Sequence, residues 1–126
     1  MKTIVHTDNA PAALGPYSQA VICNGMVYCS GQVGIVPGTG EFAGPTVEEQ
    51  AEQVMLNMEA VLTAAGSGFA NVVKTSIFLE TMDDFGAVNV IYGARFPNDP
   101  PARETVAVRT LPKNALVEIS CIAYVG

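Results

Sequence analysis

The spacing of apolar and polar residues changes along the chain, and each change marks a predicted element. Short apolar runs at residues 19–23 and 26–30 flank Asn24 and Gly25. This dipeptide suits a type I′ turn, in which both central residues have positive φ. The pattern therefore predicts a β-hairpin, preceded by a short apolar stretch at residues 3–6 and a non-helical, proline-rich segment at 9–16.

A helical period follows the hairpin. Between residues 47 and 65, apolar side chains recur at steps of three and four. Thr46 and Glu49 have the spacing of a capping box, in which each side chain accepts a hydrogen bond from the backbone of the other. Gly66 is a natural stop. We predict a helix whose apolar stripe belongs to the core.

The second half of the chain alternates between strand and helix patterns. We predict a strand at residues 72–79, a helix at 81–96, and two last strands at 105–110 and 115–124. Strands interleaved with two helices predict an α+β fold, in which one mixed sheet has both helices packed on one face. No repeat or linker divides the chain, so residues 1–126 are expected to form one domain.

Composition adds a prediction about assembly. Hydrophobic residues make up 49% of the chain and charged residues only 14%, and residues 9–40 contain no charged residue or histidine. Prolines and glycines interrupt that segment too often for a membrane-spanning helix. Apolar side chains also occupy both sides of the strands, as at residues 27–29 and 77–79. The sheet face away from the helices is therefore predicted to be an oligomer contact.

Charge and cysteine content limit the partners and the compartment. Twelve acidic and six basic residues give a net charge of −6, and no basic patch is visible, which disfavours a nucleic-acid partner. The three cysteines show no metal-ligand spacing and favour a reducing compartment. With no leader pattern at the start, we expect a cytoplasmic protein. His6 is the sole histidine, so no metal site or serine triad is expected.

Two charged residues in apolar surroundings are candidates for chemistry. Glu118 lies within an apolar strand, where an unpaired carboxylate is costly. Arg103 lies just before the predicted strand 105–110, and a guanidinium can grip a carboxylate in two places. Alternation places Arg103 and Thr105 on one face and Glu104 on the other. Either Arg103 and Glu118 form a structural ion pair, or they act on a ligand.

Three uncharged polar residues have equally open roles. Tyr17 follows Gly-Pro, Ser30 precedes Gly-Gln, and Asn89 lies on the second predicted helix. Each could line a pocket. The alternative is local: packing for Tyr17 and a strand-end hydroxyl for Ser30.

These residues belong to motifs that resemble those of the reactive intermediate deaminase family, also called RidA or YjgF-like. The matching segments follow the family's order over nearly the whole chain: residues 9–20, 30–32, 73–75, 88–89 with Tyr92, 101–103, 111–113 and 117–119. The Gly-Pro-Tyr, Ser-Gly-Gln and Pro-Ala-Arg motifs are together highly specific.

The resemblance implies a fold, an assembly and an activity. The fold is chorismate-mutase-like, and three copies form a homotrimer with a central β-barrel and a ligand cleft between each pair of subunits. The activity is hydrolytic deamination, without a cofactor, of reactive enamine and imine acids such as 2-aminoacrylate, 2-iminopropanoate and 2-iminobutanoate. The products are 2-oxo acids and ammonia.

The resemblance also implies roles for individual residues. Arg103 and the backbone amide of Thr105 bind the substrate carboxylate, and Glu118 corresponds to the family's late-strand glutamate. Our hypothesis is that Glu118 orients the water, so that Arg103 and Glu118 are the catalytic residues. The other substrate-binding positions are Tyr17, Ser30, Gly31 and Asn89. Many relatives have Cys in place of Thr105 and Ser or Thr in place of Glu104.

Two other functions remain open for such a chain. One is a non-catalytic trimer that binds small carboxylates through the same arginine. The other is an endoribonuclease or translation inhibitor, an activity attributed to some relatives, which the acidic charge disfavours.

Overall fold

The first three strands of the sheet are built around one tight turn. In the computed structural model, which describes residues 1–126, Asn24 and Gly25 have φ of 51° and 75°. They join β2 (Ala20–Cys23) to β3 (Met26–Val33) in an antiparallel pair, and β1 (Thr3–Val5) pairs with the other edge of β2. The predicted hairpin is confirmed, and β3 extends beyond its predicted end at residue 30.

Three more strands complete one mixed sheet. They are β4 (Val72–Leu79), β5 (Ala102–Ala107) and β6 (Val117–Tyr124), and the strand order is β1-β2-β3-β6-β4-β5. All pairs are antiparallel except β4 with β5. The mixed sheet is confirmed, and β5 forms one of its free edges.

The position of β5 corrects the sequence prediction. The strand was expected at residues 105–110, but it pairs with β4 from Lys74 opposite Ala102 to Leu79 opposite Ala107. It therefore ends where its only neighbour ends, and Arg103 lies inside the strand rather than before it. β6 likewise begins at Val117 instead of residue 115, because its pairing with β4 ends at Leu79 opposite Val117.

The first helix, α1 (Val47–Ala64), has the predicted boundaries at both ends. Thr46 Oγ1 accepts a hydrogen bond from the Glu49 amide at 3.2 Å, and Glu49 Oε1 accepts one from the Thr46 amide at 3.3 Å. Such a cap stabilises a helix by about 1 kcal/mol. At the other end Gly66 has φ of 77° and its amide donates to Thr63, so the chain turns out of the helix there.

The second helix is shorter than predicted. Thr81 accepts a hydrogen bond from the Asp83 amide, a 3-10 turn follows, and α2 spans Phe85–Gly93. The Ala94 amide makes the last α-helical bond, to the Val90 carbonyl, and Arg95 and Phe96 continue only as tighter turns. Pro97 disfavours the helical conformation at the preceding residue. The predicted end at residue 96 is therefore wrong by three residues.

Both helices cover the same face of the sheet, as predicted. Their apolar side chains share one core with strand residues such as Ile77, Val117 and Ile119. We call this side the helix face. The other side, the open face, carries Ile4, Tyr28, Ser76, Glu104, Val106 and Glu118, of which Ile4, Tyr28 and Val106 are exposed apolar or aromatic side chains. Neither helix is long and apolar enough to cross a membrane.

Candidate active site

Arg103 lies on the helix face of β5, beside Thr75 of β4. Helix α2 presents Phe85, Asn89 and Tyr92 to it from neighbouring turns. The Arg103 Cζ atom lies 5.4 Å from the Phe85 ring centroid and 5.2 Å from that of Tyr92, and Nη1 donates a hydrogen bond to Asn89 Oδ1 at 2.6 Å. We call Phe85, Asn89 and Tyr92 the arginine cradle. It holds the guanidinium between two aromatic rings.

The cradle leaves the arginine free to bind an anion. Arg103 is exposed and forms no ion pair with a carboxylate of its own chain. A guanidinium has five N–H donors in a planar fork, which matches the two oxygens of a carboxylate. The arrangement is suited to binding a small carboxylate at the free edge of the sheet.

Thr105 follows on the same face of β5, and its backbone also faces the edge. The Val108 amide donates to the Leu79 carbonyl of β4. Because amides along a strand point alternately to its two sides, the Thr105 amide points away from β4, toward the free edge. The Thr105 hydroxyl is buried and has no hydrogen-bond partner.

Glu104 points away from Arg103, as alternation predicts. On the open face its carboxylate lies 3.2 Å from Lys74 Nζ and accepts a hydrogen bond from Ser76. The Ser76 bond and then the Lys74 contact lower the pKa of Glu104 below its usual value. Its negative charge is therefore held on the other side of the sheet from the guanidinium.

Glu118 lies on the open face of β6, between the fully buried Val117 and Ile119. It is half-buried, and this burial raises the pKa of its carboxyl group above the usual value. No cation of its own chain forms an ion pair with it. A carboxyl group in this state can take up and release a proton closer to neutrality than an ordinary glutamate.

A β-bulge places Gly31 under this carboxyl group. Between the pairs Cys29 with Cys121 and Gln32 with Ile119, β3 contains one residue more than β6. A Cβ atom at Gly31 would lie 2.5 Å from Glu118 Oε2, so only glycine leaves room for the carboxyl group as it stands.

Ser30 and Tyr17 complete a second group around the bulge. Ser30 Oγ donates a hydrogen bond to the Ser18 carbonyl at 2.5 Å, which fixes the preceding segment against β3. Tyr17 is 55% exposed and, with Gly31, lines a cavity of about 360 Å³. We call Tyr17, Ser30, Gly31 and Glu118 the glutamate cluster. Gly31 links its members, because it lines the cavity with Tyr17 and lies against the Glu118 carboxyl group.

The two groups of residues lie on opposite sides of the sheet. Arg103 neighbours the buried Thr75 and contacts α2, so it is on the helix face, whereas Glu118 is on the open face. The ion pair between them, which the sequence left open, is therefore not formed within one chain. The structure brings Asn89 to Arg103, with Thr105 on the same face of β5, and it brings Gly31 to Glu118. Ser30 precedes Gly31 in β3 and Tyr17 lines a cavity with Gly31, and the two groups are not joined in one protomer.

The aromatic walls of the cradle were not among the predicted site residues. Phe85 and Tyr92 have the spacing of a core stripe, and Tyr92 is indeed buried. Their spacing around Asn89 on one helix was the available signal. No three metal-ligating side chains converge anywhere in the chain.

Comparisons with known proteins agree with this architecture. The family model described as endoribonuclease L-PSP matches residues 7–125. The chloroplastic Reactive Intermediate Deaminase A of Arabidopsis thaliana is 51% identical over 97% of this chain. The match spans 65% of the length of the Arabidopsis protein. The 2-iminobutanoate/2-iminopropanoate deaminase of Mus musculus is 45% identical over the whole chain and 93% of its own length.

A solved structure matches the fold closely. It is the crystal structure of an Entamoeba histolytica protein described as an endoribonuclease L-PSP. The TM-score is 0.96 and the identity 54%, and the match covers 99% of this chain and 100% of the other. Similarity of sequence and of fold therefore extend over the same, nearly complete, length. The chain belongs to the RidA, or YjgF-like, family of reactive intermediate deaminases, which shares the endoribonuclease L-PSP family model.

Proposed function

We propose that this protein hydrolyses 2-imino acids, with 2-iminopropanoate, 2-iminobutanoate and the enamine 2-aminoacrylate as substrates. The observation that carries the proposal is the Arg103 guanidinium, which the cradle orients but which no carboxylate of the chain neutralises. Each proposed substrate has the carboxylate that such a fork binds. The deaminase names of relatives from mouse and Arabidopsis support the same reaction.

A complete site needs two protomers. Since Arg103 and Glu118 lie on opposite faces, we propose that the arginine cradle of one protomer meets the glutamate cluster of its neighbour in a homotrimer. The open faces would form a central β-barrel, as in chorismate-mutase-like trimers. The exposed Ile4, Tyr28 and Val106 on this face support the assembly, because a monomer would leave them in water.

Binding begins at the substrate carboxylate. Two N–H groups of Arg103 bind its two oxygens, and the Thr105 amide adds a third donor from the free edge of β5. Asn89 holds the guanidinium from the side. Tyr17, Ser30 and Gly31 of the neighbouring protomer border the rest of the substrate, so the imine carbon is fixed beside Glu118.

The chemical step is an addition of water followed by loss of ammonia. Glu118 accepts a proton from the water as its oxygen bonds to the imine carbon, and this proton passes to the imine nitrogen. The hydroxyl proton of the resulting carbinolamine passes to its amino group, and ammonia leaves as the C–N bond breaks and the C=O bond of the 2-oxo acid forms. The raised pKa of Glu118 suits both proton transfers. The scheme requires no cofactor.

A coupled assay tests the proposal. A dehydratase generates 2-iminopropanoate or 2-iminobutanoate from serine or threonine, and the protein's acceleration of 2-oxo acid formation is measured. Arg103→Ala and Glu118→Ala should each lower kcat/KM by about 100-fold or more. Arg109→Ala, which removes another exposed arginine after β5, should match the wild type. Wild-type rates for either site variant would refute the assignment.

The same assay separates the deaminase from a carrier. A non-catalytic trimer that binds small carboxylates would use Arg103 in the same way, and ligand binding would not distinguish it. Turnover of the imine distinguishes the two, because a carrier binds the acid without hydrolysing it. A wild-type protein that binds a 2-oxo acid through Arg103 but never accelerates imine loss is a carrier.

The name of the matching family model makes RNA cleavage a second candidate. The net charge of −6 argues against it, because an acidic chain with six scattered basic residues neutralises few phosphates. Incubation with single-stranded RNA at physiological salt tests this candidate. Cleavage by the wild type that persists in the Arg103→Ala variant would indicate a second activity.

We propose the cytoplasm as the location. Cys23, Cys29 and Cys121 are all free thiols, which supports a reducing compartment. Fractionation of cells that express the chain with a C-terminal tag tests this proposal.

A further inference from the structure

We propose that Thr75 is a positioning residue, which fixes the Tyr92 ring and through it the plane of the Arg103 guanidinium. Thr75 itself is fully buried and cannot touch a substrate. The inference rests on the proposed function only where it predicts KM and kcat. Its prediction about the Kd of a bound 2-oxo acid requires no turnover.

The Thr75 hydroxyl has one specific partner. Thr75 stands on the helix face of β4, in the row of the sheet that contains Cys121 on one side and Arg103 on the other. Its Oγ1 atom lies 2.7 Å from the Tyr92 hydroxyl oxygen, and both residues are buried. A buried hydroxyl in an apolar strand costs free energy unless it is hydrogen-bonded. Each of the two hydroxyls satisfies the other, so separating them would leave both without a partner.

This bond and one aromatic contact fix the Tyr92 ring. The ring centroid lies 4.8 Å from that of Phe96, which in turn packs edge-on against Phe69 at 5.5 Å. The Phe96 contact holds one side of the Tyr92 ring, and Thr75 holds its hydroxyl end. The ring therefore cannot slide or tilt without losing one of the two.

The position of the ring determines the orientation of the guanidinium. Asn89 bonds a single nitrogen of Arg103, and the fork can rotate about that bond. The face of Tyr92, 5.2 Å from Cζ, limits this rotation. Bidentate binding of a carboxylate depends on the plane of the fork, so a shift of Tyr92 should weaken binding of the substrate acid.

Three variants separate positioning from a purely structural role. Thr75→Val removes the hydroxyl and leaves that of Tyr92 buried without a partner, which should also lower stability. The double variant Thr75→Val, Tyr92→Phe removes both hydroxyls and restores an apolar contact, so its Tm should return toward that of the wild type. Thr75→Ser keeps the hydroxyl and should rescue both properties.

The measurements are the Kd of 2-oxobutanoate by calorimetry, and KM and kcat with 2-iminobutanoate. We expect Thr75→Val and the double variant to raise Kd and KM by about 3- to 10-fold, with kcat within about 2-fold of wild type. Thr75→Ser should match the wild type. Val54→Ala, a core change on α1, should lower Tm without changing Kd.

A double variant with wild-type Kd and KM would overturn the proposal, because the hydroxyl pair would then serve stability alone. A wild type that binds 2-oxobutanoate with the expected variant pattern but does not turn over the imine would refute the deaminase and leave the positioning role supported. Absence of Arg103-dependent binding in the wild type would overturn both.

Discussion

Arg103 makes three contacts through its guanidinium group. Two aromatic rings flank the guanidinium, and Asn89 accepts a hydrogen bond from one nitrogen. These contacts depend on both the planar shape and the positive charge of the guanidinium. A lysine at this position would keep the charge but lose the planar fork and its fit between the rings.

We therefore expect Arg103→Lys to lower kcat/KM for 2-iminobutanoate by about 10- to 100-fold, mainly through a higher KM. Steady-state kinetics with the coupled assay checks this. Lys74→Arg on the open face is the matched control for the chemical change and should retain wild-type kinetics. If Arg103→Lys retained wild-type KM, simple charge attraction would explain binding and the geometry of the fork would be irrelevant.

Glu118 makes stability depend on pH in a defined direction. Because burial raises its folded-state pKa, the folded protein binds this proton more tightly than the unfolded chain does. The associated stabilisation is fully present below the unfolded pKa and is lost as the pH rises through the folded pKa. Above its folded-state pKa, the native protein therefore contains a half-buried carboxylate with no cation of its own chain beside it, and this costs stability.

Glu118→Gln should remove this cost together with the activity. Its Tm should exceed that of the wild type at pH values above the folded-state pKa of Glu118, and the difference should shrink as the pH falls through that pKa and the wild-type carboxyl group takes up its proton. Thermal unfolding between pH about 4.5 and 8 measures the effect. A variant less stable than the wild type in this pH range would contradict the prediction, because the native assembly would then stabilise the carboxylate rather than lose stability through its burial.

At the scale of elements, the β-bulge in β3 and helix α2 carry the two halves of the site. The bulge inserts one residue at the position where Gly31 meets the Glu118 carboxyl group. Helix α2 is only nine residues long, yet three of its side chains form the cradle. Each element is short and depends on a strand that supplies its partner residue: β6 supplies Glu118 to the bulge, and β5 supplies Arg103 to α2.

Gly31→Ala should displace Glu118 without unfolding the sheet. A Cβ atom would overlap the carboxyl group, which is the end of a flexible side chain, so the side chain would rotate away and the backbone would remain. We expect kcat to fall by about 10-fold or more with a smaller change in KM. Gly68→Ala, where a Cβ atom meets nothing within 4 Å, is the control. Unchanged kcat for Gly31→Ala would contradict the role of Glu118.

Elements fixed by local chemistry were predictable from the sequence, and those fixed by distant pairing were not. The Asn24-Gly25 turn and the Thr46–Glu49 capping box are determined by residues within a few positions of each other, and both were predicted correctly. The start of β5 depends on β4, about thirty residues earlier in the chain, so the prediction was wrong by three residues.

The same distinction applies to the candidate site. Motifs identified Arg103, Glu118 and their neighbours, and alternation correctly placed Glu104 away from Arg103. The separation of Arg103 from Glu118 depends on the register of three strands, which no local pattern encodes. The roles of Phe85 and Tyr92 were missed because an aromatic residue that walls a cation has the same spacing as one that fills a core.

At the scale of the whole molecule, the sheet separates the two halves of the site. One protomer presents an arginine at the free edge of β5 and a glutamate on the opposite face of β6. On the proposed mechanism, hydrolysis of an imine acid requires both halves. The exposed apolar side chains of the open face support the proposed assembly with further copies of the chain.

Mixed trimers test the shared site directly. Arg103→Ala and Glu118→Gln chains, each inactive alone and each with a different tag, are co-refolded in equal amounts, and trimers that carry both tags are purified. In a cyclic trimer every mixed assembly contains one intact pairing of Arg103 with Glu118, so purified mixed trimers should recover about one third of wild-type kcat. Mixed trimers verified by native mass spectrometry that remain as inactive as the parent variants would contradict a site built from two protomers.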